Sequence, residues 1–213
     1  TPGLWDRVPD WELRRRILEV VDDRKLSASR VNSITALIKA KAYRRESPFK
    51  KAHHFINVRN GVLVYGGGVF TLKNHAREQH CTSQIPWDFD PGARCDRWDQ
   101  FLYEIFEGDP DRNDKIMLVY QIIGYCLLSF CPFERFLPMV GNGANGKSVI
   151  LEIIKALVGV QNVASVQPSE FENRFQRGHI HGKLVNLVTE IAEGTQIADA
   201  QLTAITSGEL STV

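Results

Sequence analysis

Residues 138–159 read "PMVGNGANGKSVILEIIKALVG". A short apolar run gives way to three glycines and two asparagines, then to Lys147 and Ser148, then to apolar residues at helical spacing. The octet Gly141, Asn142, Gly143, Ala144, Asn145, Gly146, Lys147, Ser148 fits the pattern G-x-x-x-x-G-K-[ST]. A phosphate chain concentrates negative charge and needs many donors close by. Glycines let the backbone N–H groups of 143–148 turn toward it with no Cβ in the way. The N-terminus of the following helix adds the positive end of its dipole. Lys147 can reach the β- and γ-phosphates, and the Ser148 hydroxyl can hold Mg²⁺. The stretch therefore predicts a nucleotide phosphate site in a strand–loop–helix unit. The strand is "RFLPMV" (135–140). The helix is 147–158, with Ile150, Ile153, Ile154 and Leu157 inward.

The same rhythm continues downstream. "NVASV" (162–166) reads as a short strand, Pro168 suits a helix start, and "KLVNLVTE" (183–190) reads as a buried, β-branched strand. "ADAQLTAITSG" (198–208) reads as a helix closed by Gly208. Alternation of this kind defines an α/β unit with a parallel sheet. Glu190 ends the apolar strand, where a carboxylate can orient and polarise an attacking water or help hold Mg²⁺. Glu193 competes for the role. Thr189 stands where many proteins with this loop carry a first acid, which favours water orientation for Glu190.

Upstream, 9–23 and 27–45 have helical spacing, the second with Ser27 as its cap. "FINVRNGVLVYGGGVFTL" (55–72) alternates and carries two turn signals, Asn60-Gly61 and Gly66–Gly68. A proline-punctuated connector then leads to a helix whose face is Trp98, Phe101, Leu102, Ile105 and Phe106. A second helix, over 111–130, reads as more deeply buried. Four segments result: a basic helical segment (1–50), a hairpin unit with linker (51–94), a helical lead-in (95–134) and the phosphate-binding core (135–213).

The chain has 213 residues, 43% hydrophobic and 24% charged, and a net charge of +1. Bulk charge therefore announces no nucleic-acid partner. Its distribution is uneven: residues 1–51 hold 13 Lys/Arg against 7 Asp/Glu. That segment can meet phosphates or be a solvated helical surface. Cys81, Cys95, Cys126 and Cys131 form no CxxC, so free thiols and an intracellular setting are expected. His75, His80, Cys81 and Cys95 fit no standard zinc spacing. No apolar run approaches the roughly 20 residues of a membrane span, and no signal peptide is visible. Without an initiator Met, and with "SGELSTV" at the end, the chain reads as a fragment.

Several motifs in fixed order resemble the phage/plasmid primase–helicase family, within the superfamily 3 helicases of the AAA+ class. "FINVRNGVL" resembles its pre-helicase hairpin. "IPWDFDPGARCDRWDQFL" is similar to its linker of form pv-x-[YF]-[DN]-P-x-A-x-C-x-x-W-x-x-F-L. "IGYCLL" before "GNGANGKS", "GKLVNLVTEI" ending its acidic strand, and "LTAITSGEL" complete the set. Thr203 stands where that last motif has Lys, and Glu209 where it has Asp.

The resemblance implies an AAA+-like P-loop ATPase core preceded by a helical and β-hairpin region. It implies an ATP-dependent DNA helicase acting in replication, with ATP and Mg²⁺ on residues 141–148. Lys147 and Glu190 would be catalytic, and Ser148 and Glu190 would be the metal contacts. Single-stranded DNA and a homo-oligomeric, hexameric ring are the implied partners, in the cytoplasm of a bacterial or phage-infected cell. The family's sensor Asn, DNA loop and arginine finger fall after Val213. The finger comes from a neighbouring subunit and is worth on the order of 10³–10⁵ in rate, so this chain is expected to bind ATP and hydrolyse it poorly. The alternative is a P-loop ATPase that loads or scaffolds replication proteins without unwinding.

Overall fold

The computed structural model describes residues 3–22, 27–45, 48–50, 54–141, 143, 145–191, 194 and 199–207. The chain divides into two compact units, Trp5–Lys51 and the remainder.

The first unit is a helical pair, α1 (Asp10–Val20) and α2 (Ala28–Ala42). Ser27 caps α2, its Oγ accepting from the Arg30 N–H at 3.2 Å. Ile17, Val31 and Thr35 are buried. Much of the basic charge meets acids at once. Arg15 and Arg16 both bond Glu12, and their guanidinium groups hold its carboxyl down at about 2. Lys39 meets Asp10 across the pair at 2.6 Å. These exposed pairs match the reading of a solvated helical surface, at little energetic gain each.

The second unit opens with an antiparallel sheet of β1 (Phe55–Val58), β2 (Gly61–Gly66) and β3 (Val69–Lys73). The first hairpin forms where Asn60-Gly61 predicts it, one residue displaced. Arg59 and Asn60 make the turn, and Gly61 pairs with Val58 as the first residue of β2. The second turn places Gly67 and Gly68 at φ of 61° and 85°, the left-handed pair a two-residue hairpin demands.

The connector after the sheet is tied down on both sides. Ile85 N–H donates to the Asn57 carbonyl, and Arg59 clasps Asp88 with two bonds of 2.7 and 2.8 Å. Asn60 exchanges two bonds with the Phe89 backbone. The Trp87 indole N–H donates to the Ala156 carbonyl at 2.9 Å.

Helices α3 (Asp96–Ile105), α4 (Arg112–Cys126) and α5 (Lys147–Val158) close the core. Its buried centre is Ile56, Leu63, Ile85, Leu102, Val119, Ile150, Ile154 and Val158 among others. Two expectations need correction. On α5 the buried stripe is Ile150, Ile154 and Val158, at i, i+4 and i+8, while Ile153 is 40% exposed. On α4 only Val119 is buried, and Met117, Leu118 and Tyr120 face outward. After its polar first turn this helix is apolar on nearly all sides, and neighbours on one side cannot cover all of it.

The parallel sheet is small. Strand β4 (Val163–Ala164) pairs in parallel with β5 (Val185–Asn186), in register Val163–Val185 and Ala164–Asn186. Between them lies the short helix α6 (Arg174–Gly178), and α7 (Asp199–Thr206) follows β5. The strand expected over 135–140 is absent. A strand exists only through a ladder, and no described segment pairs with 135–140. Val140 is 92% exposed, and Pro138 has no N–H to donate. The strand expected over 183–190 shrinks to two paired residues for the same reason. Gly208, the expected cap of the last helix, and Glu209 lie outside the described residues.

Asn162 joins these parts. It is buried, and its Nδ2 donates to the Gln84 carbonyl at 2.8 Å and the Val158 carbonyl at 2.7 Å. Asn162→Leu strands both acceptors. The expected loss is about 1–3 kcal/mol, read as a lower urea midpoint at unchanged slope.

Candidate nucleotide-binding site

The loop turns into α5 at Gly146. Its φ is +82°, and a Cβ there would lie 2.8 Å from Ile105 Cγ2 and 3.0 Å from Phe101 Cζ. Only glycine fits both the backbone angle and the space. Helix α3 thus supplies the seat on which the loop rests. Gly146 is also the N-cap and offers no side-chain acceptor. The first intrahelical bond runs from the Ile150 N–H to the Gly146 carbonyl at 3.1 Å. The N–H groups of Ser148 and Val149 therefore have no acceptor within the helix, and an anion can take them.

Lys147 folds back over the loop. Its ammonium donates to the Gly141 carbonyl at 2.8 Å and to Asn145 Oδ1 at 2.7 Å. A Cβ at Gly141 would lie 2.2 Å from Asn145 Nδ2, so a side chain there would have to displace the Asn145 amide that meets Lys147. The cation is thereby placed above the helix N-terminus, held by neutral oxygens that charged phosphate oxygens can replace. Asn142 and Ala144 lie outside the described residues.

One cleft of about 2420 Å³ gathers the expected residues. Gly141, Lys147 and Ser148 line it, and so do Thr189 and Glu190 from beyond β5. Ser148 and Glu190 are exposed. Glu193 lies outside the described residues. The structure thus brings the loop and the candidate water-orienting acid to one cavity. Apolar side chains of α4 and α7 form other walls, among them Ile122, Leu202 and Ile205. Nearby, burial pushes the Cys126 thiol up to about 11, which leaves it an inert hydrophobe.

Three features escaped the motif reading. The Asn186 side chain exchanges two bonds with the Val166 backbone, at 2.8 and 2.9 Å. Gln167 Nε2 donates to the Glu190 carbonyl at 3.2 Å. Finally, the β4–β5 connection presents Phe175 at 71% exposure, with the Arg174 guanidinium 4.8 Å from its ring centre. His179, His181 and Lys183 follow within the same connection and are also exposed. The interleaved basic and aromatic residues of "NRFQRGHIHGK" carried that signal. Among the described residues no helix is long and apolar enough to cross a membrane.

Comparison with known families adds two matches. Residues 10–107 match the family described as D5 N terminal like. Residues 139–212 match a family of unknown function (DUF5906). The D5 N-terminal-like domain is found in phage and plasmid primase–helicase proteins, which supports a replication context for this chain.

Gly146→Ala tests the seat. The added methyl has to displace Ile105 or Phe101, so the variant is expected to lose stability and at least about tenfold in nucleotide affinity. Thermal melting and calorimetric titration with Mg·ATP read both.

Proposed function

We propose that this chain binds Mg·ATP on residues 141–148 and serves the ATPase part of a primase–helicase-type replication protein. The observation that carries the reading is Lys147, held by Gly141 and Asn145 above the uncapped N-terminus of α5, in one cleft with Glu190.

The residues fit the group. The helix N-terminus supplies donors, Lys147 supplies charge, and Ser148 lies on the first turn with a hydroxyl free to meet a hard cation. Ser148 and Glu190 would hold Mg²⁺, which would neutralise phosphate charge there. Glu190 would orient the water that attacks the γ-phosphate. Phosphoryl transfer to water is mostly positioning and electrostatics, so a loop and one acid give binding with slow turnover. Faster turnover needs an arginine from a neighbouring copy. The cleft is more than twice the roughly 300–1,000 Å³ of ordinary ligand pockets. A nucleotide alone leaves apolar wall exposed, which favours a neighbour in a homo-oligomeric ring, hexameric by resemblance.

Single-stranded DNA is the proposed track. Phe175 offers a stacking face, and Arg174, His179, His181 and Lys183 offer phosphate contacts. This polar and aromatic loop favours a nucleic-acid motor over a small-molecule phosphotransferase. The second reading, a loader or scaffold that does not unwind, separates from the first in a forked-duplex unwinding assay.

Lys147→Ala is expected to weaken Mg·ATP binding at least about tenfold, while Glu190→Gln keeps binding and cuts turnover on the order of 10²-fold or more. Calorimetry and phosphate release check both, and intact affinity in Lys147→Ala would sink the assignment. In a separate test, Phe175→Ala with Arg174→Ala should weaken single-stranded DNA binding about tenfold or more. The double variant's salt dependence should also flatten by about 0.7 of a log unit per decade. Fluorescence anisotropy across a salt series reads this.

A further inference from the structure

The backbone ladder between β4 and β5 ends early. Its last rung is the Leu187 N–H donating to the Ala164 carbonyl at 2.9 Å. Past Ala164 the two chains part, and Glu190 lies three residues beyond that last rung. Two side-chain amides span the gap. Asn186 Oδ1 accepts from the Val166 N–H, and its Nδ2 donates to the Val166 carbonyl, so one amide copies a peptide rung. Gln167 then reaches back, donating Nε2 to the carbonyl of Glu190 itself.

We propose that Gln167 and Asn186 are positioning residues for Glu190, standing in for the ladder rungs the short strands lack. The inference rests on Glu190 being the water-orienting acid. Neither amide touches substrate in this account. Asn186 fixes the register of 166 against the acidic strand, and Gln167 fixes the peptide that carries the carboxylate. The rest of the exit from β5 has no comparable hold. Thr189 and Ile191 are exposed, and among the described residues no hydrogen bond fixes their backbone. A carboxylate on an unpinned peptide samples many positions, and a displacement of about 1 Å can cost a hundredfold in rate.

The position of Gln167 makes the idea testable without disturbing the core. It is exposed, so replacing it leaves packing intact. Asn186 is half-buried, and its removal risks the fold. The decisive variants are therefore Gln167→Met, which keeps length and loses the donor, and Gln167→Arg, which restores a donor. On the full-length protein, Gln167→Met should lower kcat about three- to tenfold, the range one lost hydrogen bond gives. Its Kd for Mg·ATP should stay within about twofold of the parent, and Gln167→Arg should recover most of the rate. Parent-like turnover in Gln167→Met overturns the proposal. So does a parallel loss of affinity and rate, which marks general damage. Glu190→Gln in the same series isolates the premise: if it turns over like the parent, the acid assignment fails, whatever Gln167 does.

Discussion

The contact between Gly146 and the side chains of Phe101 and Ile105 is the constraint on which the site depends. It leaves no room for a Cβ at the mouth of α5, where Gly146 also takes a φ of +82°, and so that helix has no side-chain cap. The same contact makes helix α3 part of the seat of the proposed phosphate loop. Lys147 follows Gly146 directly, and its ammonium turns back across the loop, where Gly141 and Asn145 receive it. The ammonium and the uncapped first turn of α5 thus lie on the same loop, the arrangement the proposed phosphate site uses.

Polar side chains do much of the joining that a larger sheet would do with backbone. Asn162 ties α5 to the connector, Asn60 ties the hairpin turn to Phe89, and Asn186 ties the two parallel strands. Each is an amide that both donates and accepts, so each can replace a peptide group. The arrangement links the hairpin, the connector and α5 through hydrogen bonds. Trp87 completes that path at Ala156.

The loop and its helix were legible because their chemistry is local. Gly141, Gly146, Lys147 and Ser148 stand out in the sequence by what a phosphate would require. Gly67 and Gly68 take the left-handed angles of the second hairpin turn, while Arg59 and Asn60 make the first. The helices showed through periodicity, although Ile153 and the outward face of α4 did not. Periodicity gives a stripe, while the neighbours present decide which edge of the stripe is covered. Residues 135–140 failed for a non-local reason: "RFLPMV" has strand composition, and a strand still needs a partner that the sequence does not name. Gln167 escaped for a similar reason. A glutamine before a proline carries no motif, and its partner is a carbonyl 23 residues away. Phe175 was legible in principle, since a large aromatic among arginines and histidines has little reason to be buried.

Hydrogen–deuterium exchange of the backbone amides at 145–149, with and without a non-hydrolysable Mg·ATP analogue, tests the central claim most directly. With phosphate on the uncapped turn of α5, bound nucleotide should slow exchange at Ser148 and Val149 on the order of tenfold or more. Nucleotide that binds with protection elsewhere, and none at that turn, would contradict it.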